Sequence, residues 1–135
     1  MILFKRLKFQ KNLIKENSMY PLFKEGEEIC FKKIFFSYSP KRFDVVKIMF
    51  KKNYSEVKRI IGLPNENIKF NDNGIFIDND LLTEKHINSK YKYANLEIKL
   101  KDNQIFVMGD NRNLSNDSRK YGPIDLNDVV GVLSS

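Results

Sequence analysis

Apolar and polar residues alternate with a period of two along most of the chain, and turn-forming residues separate the alternating runs. Such a pattern is typical of β-strands that place one face in a core. It predicts strands at Glu28–Phe31, Asp44–Phe50, Glu56–Ile61, Ile68–Phe70, Ile75–Ile77, Leu96–Leu100, Gln104–Met108 and Val129–Leu133. Because no segment keeps a period of 3.6 residues, we expect an all-β fold.

The loops are predicted from Gly, Pro, Asn and Asp. Asn73 and Gly74 lie between two predicted strands, and this pair is a strong hairpin signal because both residues tolerate positive φ. Pro40 indicates a loop over residues 37–42, and a long polar loop is predicted over residues 109–120. Residues 83–95 are polar without a clear period, so no element is predicted there.

The 135 residues suit one domain, and 41% of them are hydrophobic, which is enough for a core. We expect a basic and apolar N-terminal segment at residues 1–15, followed by a single domain at residues 16–135. Within that domain, residues from about 65 to 100 contain the predicted hairpin and form an insert.

The net charge is +7, from 24 basic and 17 acidic residues, and this balance favours acidic partners. Most basic residues are scattered among acids, so no nucleic-acid partner is expected. Residues 1–15 differ, because they contain five basic residues and no acid. This segment could lie on an anionic membrane surface, or it could be a loosely held terminus that leads into a first strand.

The chain has one cysteine and one histidine, which excludes an internal disulfide and any metal site built from several Cys or His ligands. No apolar run approaches the ~20 residues that span a bilayer. We therefore expect no transmembrane segment, and a protein that is soluble or peripheral to a membrane.

Two segments contain a candidate nucleophile and a candidate base. In the first, residues 17–21, Pro21 restricts a bend that can hold the Ser18 hydroxyl exposed at the end of a strand. In the second, residues 57–64, Lys58 has apolar, β-branched neighbours, and strand alternation places Lys58 and Arg59 on opposite faces of the sheet.

A lysine acts as a base only in its neutral form. At the ordinary lysine pKa of about 10.4, only ~0.04% of the amine is neutral at pH 7. A useful base needs a pKa near the working pH. Burial must therefore lower the lysine pKa by about three units, which corresponds to ~4 kcal/mol. The more common alternative for an isolated lysine is a strand residue that extends its ammonium group to solvent.

A third segment, residues 109–119, is dense in short polar side chains that build a specific loop. Asp117 and Arg119 can form an ion pair there, and its serine hydroxyls can face a buried amine. A calcium loop is a poor fit, because Arg112 occupies an expected ligand position and the terminal glutamate is absent.

Together these segments resemble the type I signal peptidase family, the serine–lysine peptidases. Ser18-Met19-Tyr20-Pro21 matches the family's nucleophile box, and Asp44-Val45-Val46 matches its Gly-Asp-Val-Val strand. Lys58 to Pro64 matches the base box, and Gly109 to Arg119 matches the last box. The boxes occur in the family's order and span residues 16–131.

The resemblance implies a role for each of five residues. Ser18 would attack the scissile carbonyl, with its own backbone N–H in the oxyanion hole, and Lys58 would accept its proton. Ser115 would hold the Lys58 amine by a hydrogen bond, and Asp117 and Arg119 would brace the loop.

The resemblance also implies a fold, a reaction and a substrate. The fold would be a mostly antiparallel, barrel-like β-structure with a short hairpin insert. The reaction would need no metal or organic cofactor. The substrate would be a precursor protein whose N-terminal leader is cut after small side chains.

The chain departs from the family pattern at several positions. Many members have Gly or Ser where this chain has Glu16 and Asn17, so the hydroxyl two residues before the nucleophile is absent. Phe43 replaces the usual Gly before Asp44. Asn65 follows Pro64 where Gly is usual, and Asn also tolerates positive φ.

Three alternatives remain open at this point. The compact form also resembles the maturation proteases of nickel-type superoxide dismutase, which would place the protein in the cytoplasm instead of at a membrane. An inactive basic β-domain that binds membrane or nucleic acid is a second alternative. A self-cleaving repressor relative is the third, although the 17 residues before Ser18 contain no Ala-Gly or Cys-Gly cut site.

Some residues outside the boxes also invite an interpretation. Phe35, Phe36, Tyr38 and Phe43 could form a membrane-contacting or substrate-binding surface, or they could belong to the core. The single cysteine and the single histidine each allow one simple prediction. Cys30 is expected as a core thiol, and His86 is expected at the surface.

Overall fold

Antiparallel strands account for most of the fold. The computed structural model describes residues 8–87 and 91–133. Its strands are β1 (Phe9–Leu13), β2 (Glu28–Lys33), β3 (Val45–Lys51), β4 (Tyr54–Gly62), β5 (Asn67–Asn71), β6 (Gly74–Ile77), β7 (Asp80–Leu81), β8 (Leu96–Lys99), β9 (Gln104–Met108), β10 (Ile124–Asp125) and β11 (Val129–Leu133).

The strands form two sheets. The main sheet has seven strands in the order β1-β2-β11-β3-β4-β9-β10, and the second sheet has four in the order β7-β6-β5-β8. The pairings between neighbouring strands are antiparallel. Within the described residues β1 and β10 are the edges of the main sheet, so its ladder is open. The predicted mostly antiparallel β-fold is confirmed.

The central strands of the main sheet are buried on both faces. Val45 and Val46 are adjacent in β3 and point to opposite faces, yet both are buried. A strand covered on both faces reads as a continuous apolar run, which explains the sequence of β3. Phe106 of β9 packs on Phe70 of the second sheet with ring centroids 5.5 Å apart, so one apolar cluster joins the two sheets.

The strands β1 and β2, at one edge of the main sheet, contradict the prediction for Cys30 and show a strand within the predicted N-terminal segment. Cys30 is exposed, whereas Phe31, its neighbour in β2, is almost fully buried. The expectation of a core thiol was wrong because alternation in β2 gives the core face to Phe31. Residues 9–13 of the predicted N-terminal segment form β1, which pairs with β2. Residues 1–7 lie outside the described residues, and the division into segment and domain stays a prediction.

The second sheet lies within the range expected for the insert and is made of tight hairpins. The hairpin predicted here is confirmed, but its turn residues are Asp72 and Asn73: Asn71 pairs with Gly74, which begins β6 and alone of the predicted pair has a positive φ, 131°. The next turn uses Asp78 and Asn79 at φ values of 48° and 72°. Two consecutive positive φ values match the twist of a two-residue hairpin, and Asp and Asn tolerate them.

Part of the predicted polar loop is helical. Residues 118–121 form a single short helix, α1 (Ser118–Tyr121), and Leu126–Asp128 form a 3₁₀ turn. Asp117 caps α1 by accepting a hydrogen bond from the backbone N–H of Arg119. Four residues are too few to show a helical period, so the pattern could not reveal α1. Nothing helical within residues 8–87 and 91–133 has the length and apolar character to cross a bilayer.

Two backbone positions explain departures from the family's glycine pattern. Phe43 has a φ of 71°, a region that costs a side-chain-bearing residue about 1–2 kcal/mol and suits glycine. Hydrogen bonds hold it there, because its N–H donates to the Ile60 carbonyl at 2.8 Å and its carbonyl accepts from Arg59 at 2.9 Å. Asn65 has a φ of 70°, as its tolerance of positive φ predicts.

Candidate active site

Ser18 lies in the bend between β1 and β2 and is fixed against the loop that follows β9. Its carbonyl accepts a hydrogen bond from the Asn111 backbone N–H at 2.9 Å. The Asn111 side chain donates to the Asn17 carbonyl at 3.1 Å. Next along the chain, Met19 is 2% exposed, and its sulfur accepts from the Asp110 backbone N–H at 3.4 Å. Ser18 itself is half-buried, so its position is set by contacts on both sides of it.

Lys58 is among the most buried side chains of the described residues, at 1% exposure. It lies in the middle of β4, opposite Val46 of β3, so the two side chains share one face of the main sheet. Arg59 points to the other face and is largely buried as well, because both faces of this sheet are covered. The alternative of a lysine extended into solvent is excluded by this burial.

Gly109 is the point at which the serines approach Lys58. The register of β4 and β9 pairs Arg59 with Met108, and its extension by one residue places Gly109 opposite Lys58. Opposed residues of antiparallel strands point to the same face. A Cβ atom on Gly109 would lie 2.2 Å from Ser115 Oγ and 2.5 Å from the Ser18 carbonyl oxygen. The Ser18 carbonyl and the Ser115 side chain therefore occupy the space, on the Lys58 face of the sheet, that a side chain at residue 109 would take.

The loop after Gly109 positions Ser115 and Asp117 through one shared donor. The Gly109 N–H donates to Ser115 Oγ at 3.1 Å and to Asp117 Oδ2 at 3.0 Å. Arg119 binds both carboxylate oxygens of Asp117 at 2.9 Å. Burial raises the pKa of Asp117, but Arg119 and the Gly109 N–H outweigh burial and lower it. Asp117 is therefore an ionised anchor at neutral pH.

Two further ion pairs brace the same loop, and the sequence pattern missed both. Arg59 binds Asp110 in bidentate fashion, at 2.9 and 2.8 Å. Arg112 donates to the Gly109 carbonyl at 2.8 Å and forms an ion pair with Glu84. Burial raises the pKa of Glu84, but its contacts with His86 and Arg112 outweigh burial and lower it to about 2. Glu84 lies in a polar stretch that gave no signal in the sequence.

His86 is not the surface residue that we expected. Its side chain is 16% exposed and lies 5.1 Å from the Phe43 ring, centroid to centroid. Its Nε2 atom is 3.4 Å from Glu84 Oε1 and 3.8 Å from Asp110 Oδ1. The polar composition of residues 83–95 suggested exposure, but Glu84 and His86 point toward Arg112 and Asp110. Among the described residues, no three His, Cys, Asp or Glu side chains are grouped so as to hold a metal ion.

A groove of about 340 Å³ opens beside Ser18. Residues 11–16 line one side of it and residues 53–57 line the other, so it runs between the end of β1 and the start of β4. Glu16, Glu56 and Val57 contribute to its lining. A groove between two strand segments offers backbone donors and acceptors to an extended peptide.

Comparison with known proteins identifies the family. The profile of the family described as signal peptidase, peptidase S26, matches residues 1–135. The chain belongs to the signal peptidase family. Signal peptidase I V of Bacillus subtilis is 37% identical over 134 residues, which cover 87% of this chain and 79% of the relative. Signal peptidase I of Bacillus licheniformis is 32% identical over 144 residues, covering 97% of this chain and 77% of the relative.

A solved structure supports the same assignment. The crystal structure of a signal peptidase I from Enterococcus faecalis superposes with a TM-score of 0.61 at 27% sequence identity. The match covers 73% of this chain and 100% of the other. This signal peptidase is therefore a serine peptidase, that is, a hydrolase of peptide bonds.

Replacement of Gly109 tests whether the site requires the absence of a side chain at residue 109. We expect Gly109→Ala to lower the rate of precursor cleavage by at least about 100-fold, because the new Cβ displaces Ser18 or Ser115 and misplaced reacting groups lose rates of this size. The control is Gly62→Ala in β4, where the new Cβ meets the side-chain ends of Ile68 and Leu100. Rates per folded molecule, measured by mass spectrometry, should fall only in the first variant. Equal rates in both variants would contradict this assembly of the site.

Proposed function

We propose that this protein is a serine endopeptidase that removes N-terminal signal or leader segments from precursor proteins, with Ser18 as nucleophile and Lys58 as general base. The observation that carries the proposal is the approach of Ser18 and Ser115 around Gly109, opposite the buried Lys58. A buried amine on the same face as a serine is the pairing that a serine–lysine mechanism needs, because the amine must take the hydroxyl proton.

The reaction would proceed through an acyl-enzyme. Ser18 Oγ attacks the scissile carbonyl carbon while Lys58 Nζ takes the hydroxyl proton. The tetrahedral intermediate collapses, the C–N bond breaks, and Lys58 returns the proton to the leaving amine. Water then attacks the Ser18 ester while Lys58 again accepts a proton; the C–Oγ bond breaks, Lys58 returns that proton to Ser18 Oγ, and the new C-terminus is released. The Ser18 backbone N–H would stabilise the oxyanion, as the family resemblance implies.

Ser115 would orient the amine. Its oxygen accepts the Gly109 N–H, and its hydroxyl is within reach of the Asp117 carboxylate. When that hydroxyl donates to Asp117, a lone pair of Ser115 Oγ remains to accept an N–H of the neutral Lys58 amine. The nitrogen lone pair is then free to face the Ser18 hydroxyl. Asp117 and Arg119 act indirectly by holding Ser115.

The alternatives have less support. The relatives named above are signal peptidases, and nothing in these comparisons favours a maturation protease of nickel-type superoxide dismutase. An inactive binding domain would have no need for a lysine buried opposite Gly109. The substrate class therefore follows the family, and the particular precursor is the object of the experiment.

Substitution of the two proposed catalytic residues tests this function. We expect Ser18→Ala and Lys58→Met to lower cleavage of a secretory precursor by at least about 1,000-fold, since each removes a group that takes part in bond formation or proton transfer. The assay follows the leader and mature masses by mass spectrometry, with a nickel-type superoxide dismutase precursor as a second substrate.

The matched controls are Ser37→Ala and Lys69→Met, which change exposed residues of the same types. Both controls should cleave as fast as the unmodified protein. Retention of activity in Ser18→Ala or Lys58→Met would rule out the proposed pair. Cleavage of the dismutase precursor, but not of the secretory precursor, would contradict the proposed substrate class and identify the dismutase precursor as the substrate.

We further propose that the protein contacts a membrane surface peripherally, through its basic N-terminal segment at residues 1–15 and its exposed aromatic side chains. Phe36 is 100% exposed and Phe35 63% exposed, both in the loop after β2. Tyr38 and Phe43 are half-buried, so only two of the four aromatic candidates present a whole ring to solvent. The net charge of +7 suits an anionic surface.

Vesicle binding tests the membrane contact. The protein should co-sediment with vesicles that contain phosphatidylglycerol, and Phe35→Ser with Phe36→Ser should weaken binding by at least about tenfold, because two rings leave the acyl boundary. The control is Leu81→Ser, which changes an exposed residue of the second sheet. Unchanged binding of the double variant would argue against this contact.

A further inference from the structure

Within residues 8–87 and 91–133, Glu56 supplies the one carboxylate that lies within 4 Å of the amine of the proposed base. Residues two apart in a strand share a face, so Glu56 and Lys58 lie side by side in β4. Lys58 Nζ is 3.6 Å from Glu56 Oε1, with side-chain exposures of 1% and 12%. Glu56 Oε1 is buried and has no hydrogen-bond partner among the described residues. The interaction between the two groups is therefore mainly electrostatic.

The second carboxylate oxygen of Glu56 has a hydrogen-bond donor. Tyr54 donates its hydroxyl hydrogen to Glu56 Oε2 at 2.8 Å, and this hydrogen bond raises the pKa of Tyr54 to about 12. The phenol therefore stays a neutral donor at working pH. The other titratable or charged groups that line the two cavities bordering Glu56 are Lys51 of β3, Tyr121 of α1, Lys11 of β1, and Lys15 and Glu16 of the bend before Ser18.

We propose that Glu56 sets the lower pH limit of the peptidase by favouring the ammonium form of Lys58 in the resting site. The inference rests on the proposed function, in which only the neutral amine of Lys58 accepts the Ser18 proton. An anion within 4 Å of a buried amine favours its charged form, so more alkaline conditions are needed to free the base. Glu56 is thus a positioning residue, which acts through the Lys58 amine and does not contact the substrate carbonyl or the Ser18 hydroxyl in this mechanism.

The size of the effect decides whether it can be measured. An opposite charge at 4–6 Å commonly shifts a titration by about 1–3 units. On the acidic limb of a pH–rate profile, the rate is proportional to the neutral fraction of the base. A shift of one unit therefore changes the rate about tenfold at a fixed pH on that limb, and the rate at high pH changes little.

The experiment is the pH dependence of precursor cleavage for the unmodified protein and for Glu56→Gln. The glutamine keeps the length of the side chain and removes the charge. We expect the acidic limb to move to lower pH by at least about one unit, with about tenfold faster cleavage on the limb. Glu97→Gln is the control, because it removes one carboxylate from the second sheet and should leave the profile in place. Glu56→Met provides a second removal of the charge and should show the same shift.

The possible failures can be told apart. An acidic limb of Glu56→Gln that superimposes on that of the unmodified protein would overturn the inference and leave the proposed function intact. Loss of cleavage at every pH, or failure of both Glu56 variants to fold, would overturn it too. Glu56 would then be required for cleavage or folding in itself, and not for setting the pH at which the Lys58 amine becomes neutral. Undiminished cleavage by Lys58→Met in the same assay would instead reject the proposed function.

Discussion

The site depends on the close approach of three chain segments at Gly109. The bend that carries Ser18, the loop that carries Ser115 and the strand that carries Lys58 meet where residue 109 has no side chain. A single added carbon would lie within 2.5 Å of atoms from two of these segments, and protein interiors have no room for such an overlap. The glycine is required for space, since its φ lies outside the positive region.

The ion pairs around this point are best understood as devices that fix geometry. Asp110, Asp117 and Arg112 are all buried and all paired, and taking such charges out of water cancels much of the energy that pairing provides. Each ion pair nevertheless restricts its two side chains to few alternative positions. Because all three residues lie in the loop that follows Gly109, their ion pairs hold that loop against the bend at Ser18. Catalytic groups need this kind of support to stay within about 0.5 Å of a working arrangement.

The strands of the core could be predicted because their apolar residues match their burial: β5 alternates, whereas β3 and β9 are apolar runs that are buried on both faces. β1 was missed since it is an edge strand with one partner, and its three consecutive polar residues, Gln10 to Asn12, show no alternation. The helix α1 is too short for a period. The candidate site residues were proposed from linear motifs, whereas the pairing of Arg112 with Glu84 joins positions 28 residues apart and depends on the fold. The contact between Glu56 and Lys58 was available from the sequence, because residues two apart in a strand share a face.

The central claim is that the Lys58 amine lies beside the Ser18 hydroxyl, on the face where Gly109 leaves room. The most direct measurement is the distance between Ser18 Oγ and Lys58 Nζ in a crystal structure of the unmodified protein, solved above neutral pH. The account predicts a separation within about 3.2 Å, or one bridging water, with Ser115 Oγ in contact with the same amine. An amine that reaches solvent, or that lies across the sheet from Ser18, would contradict it.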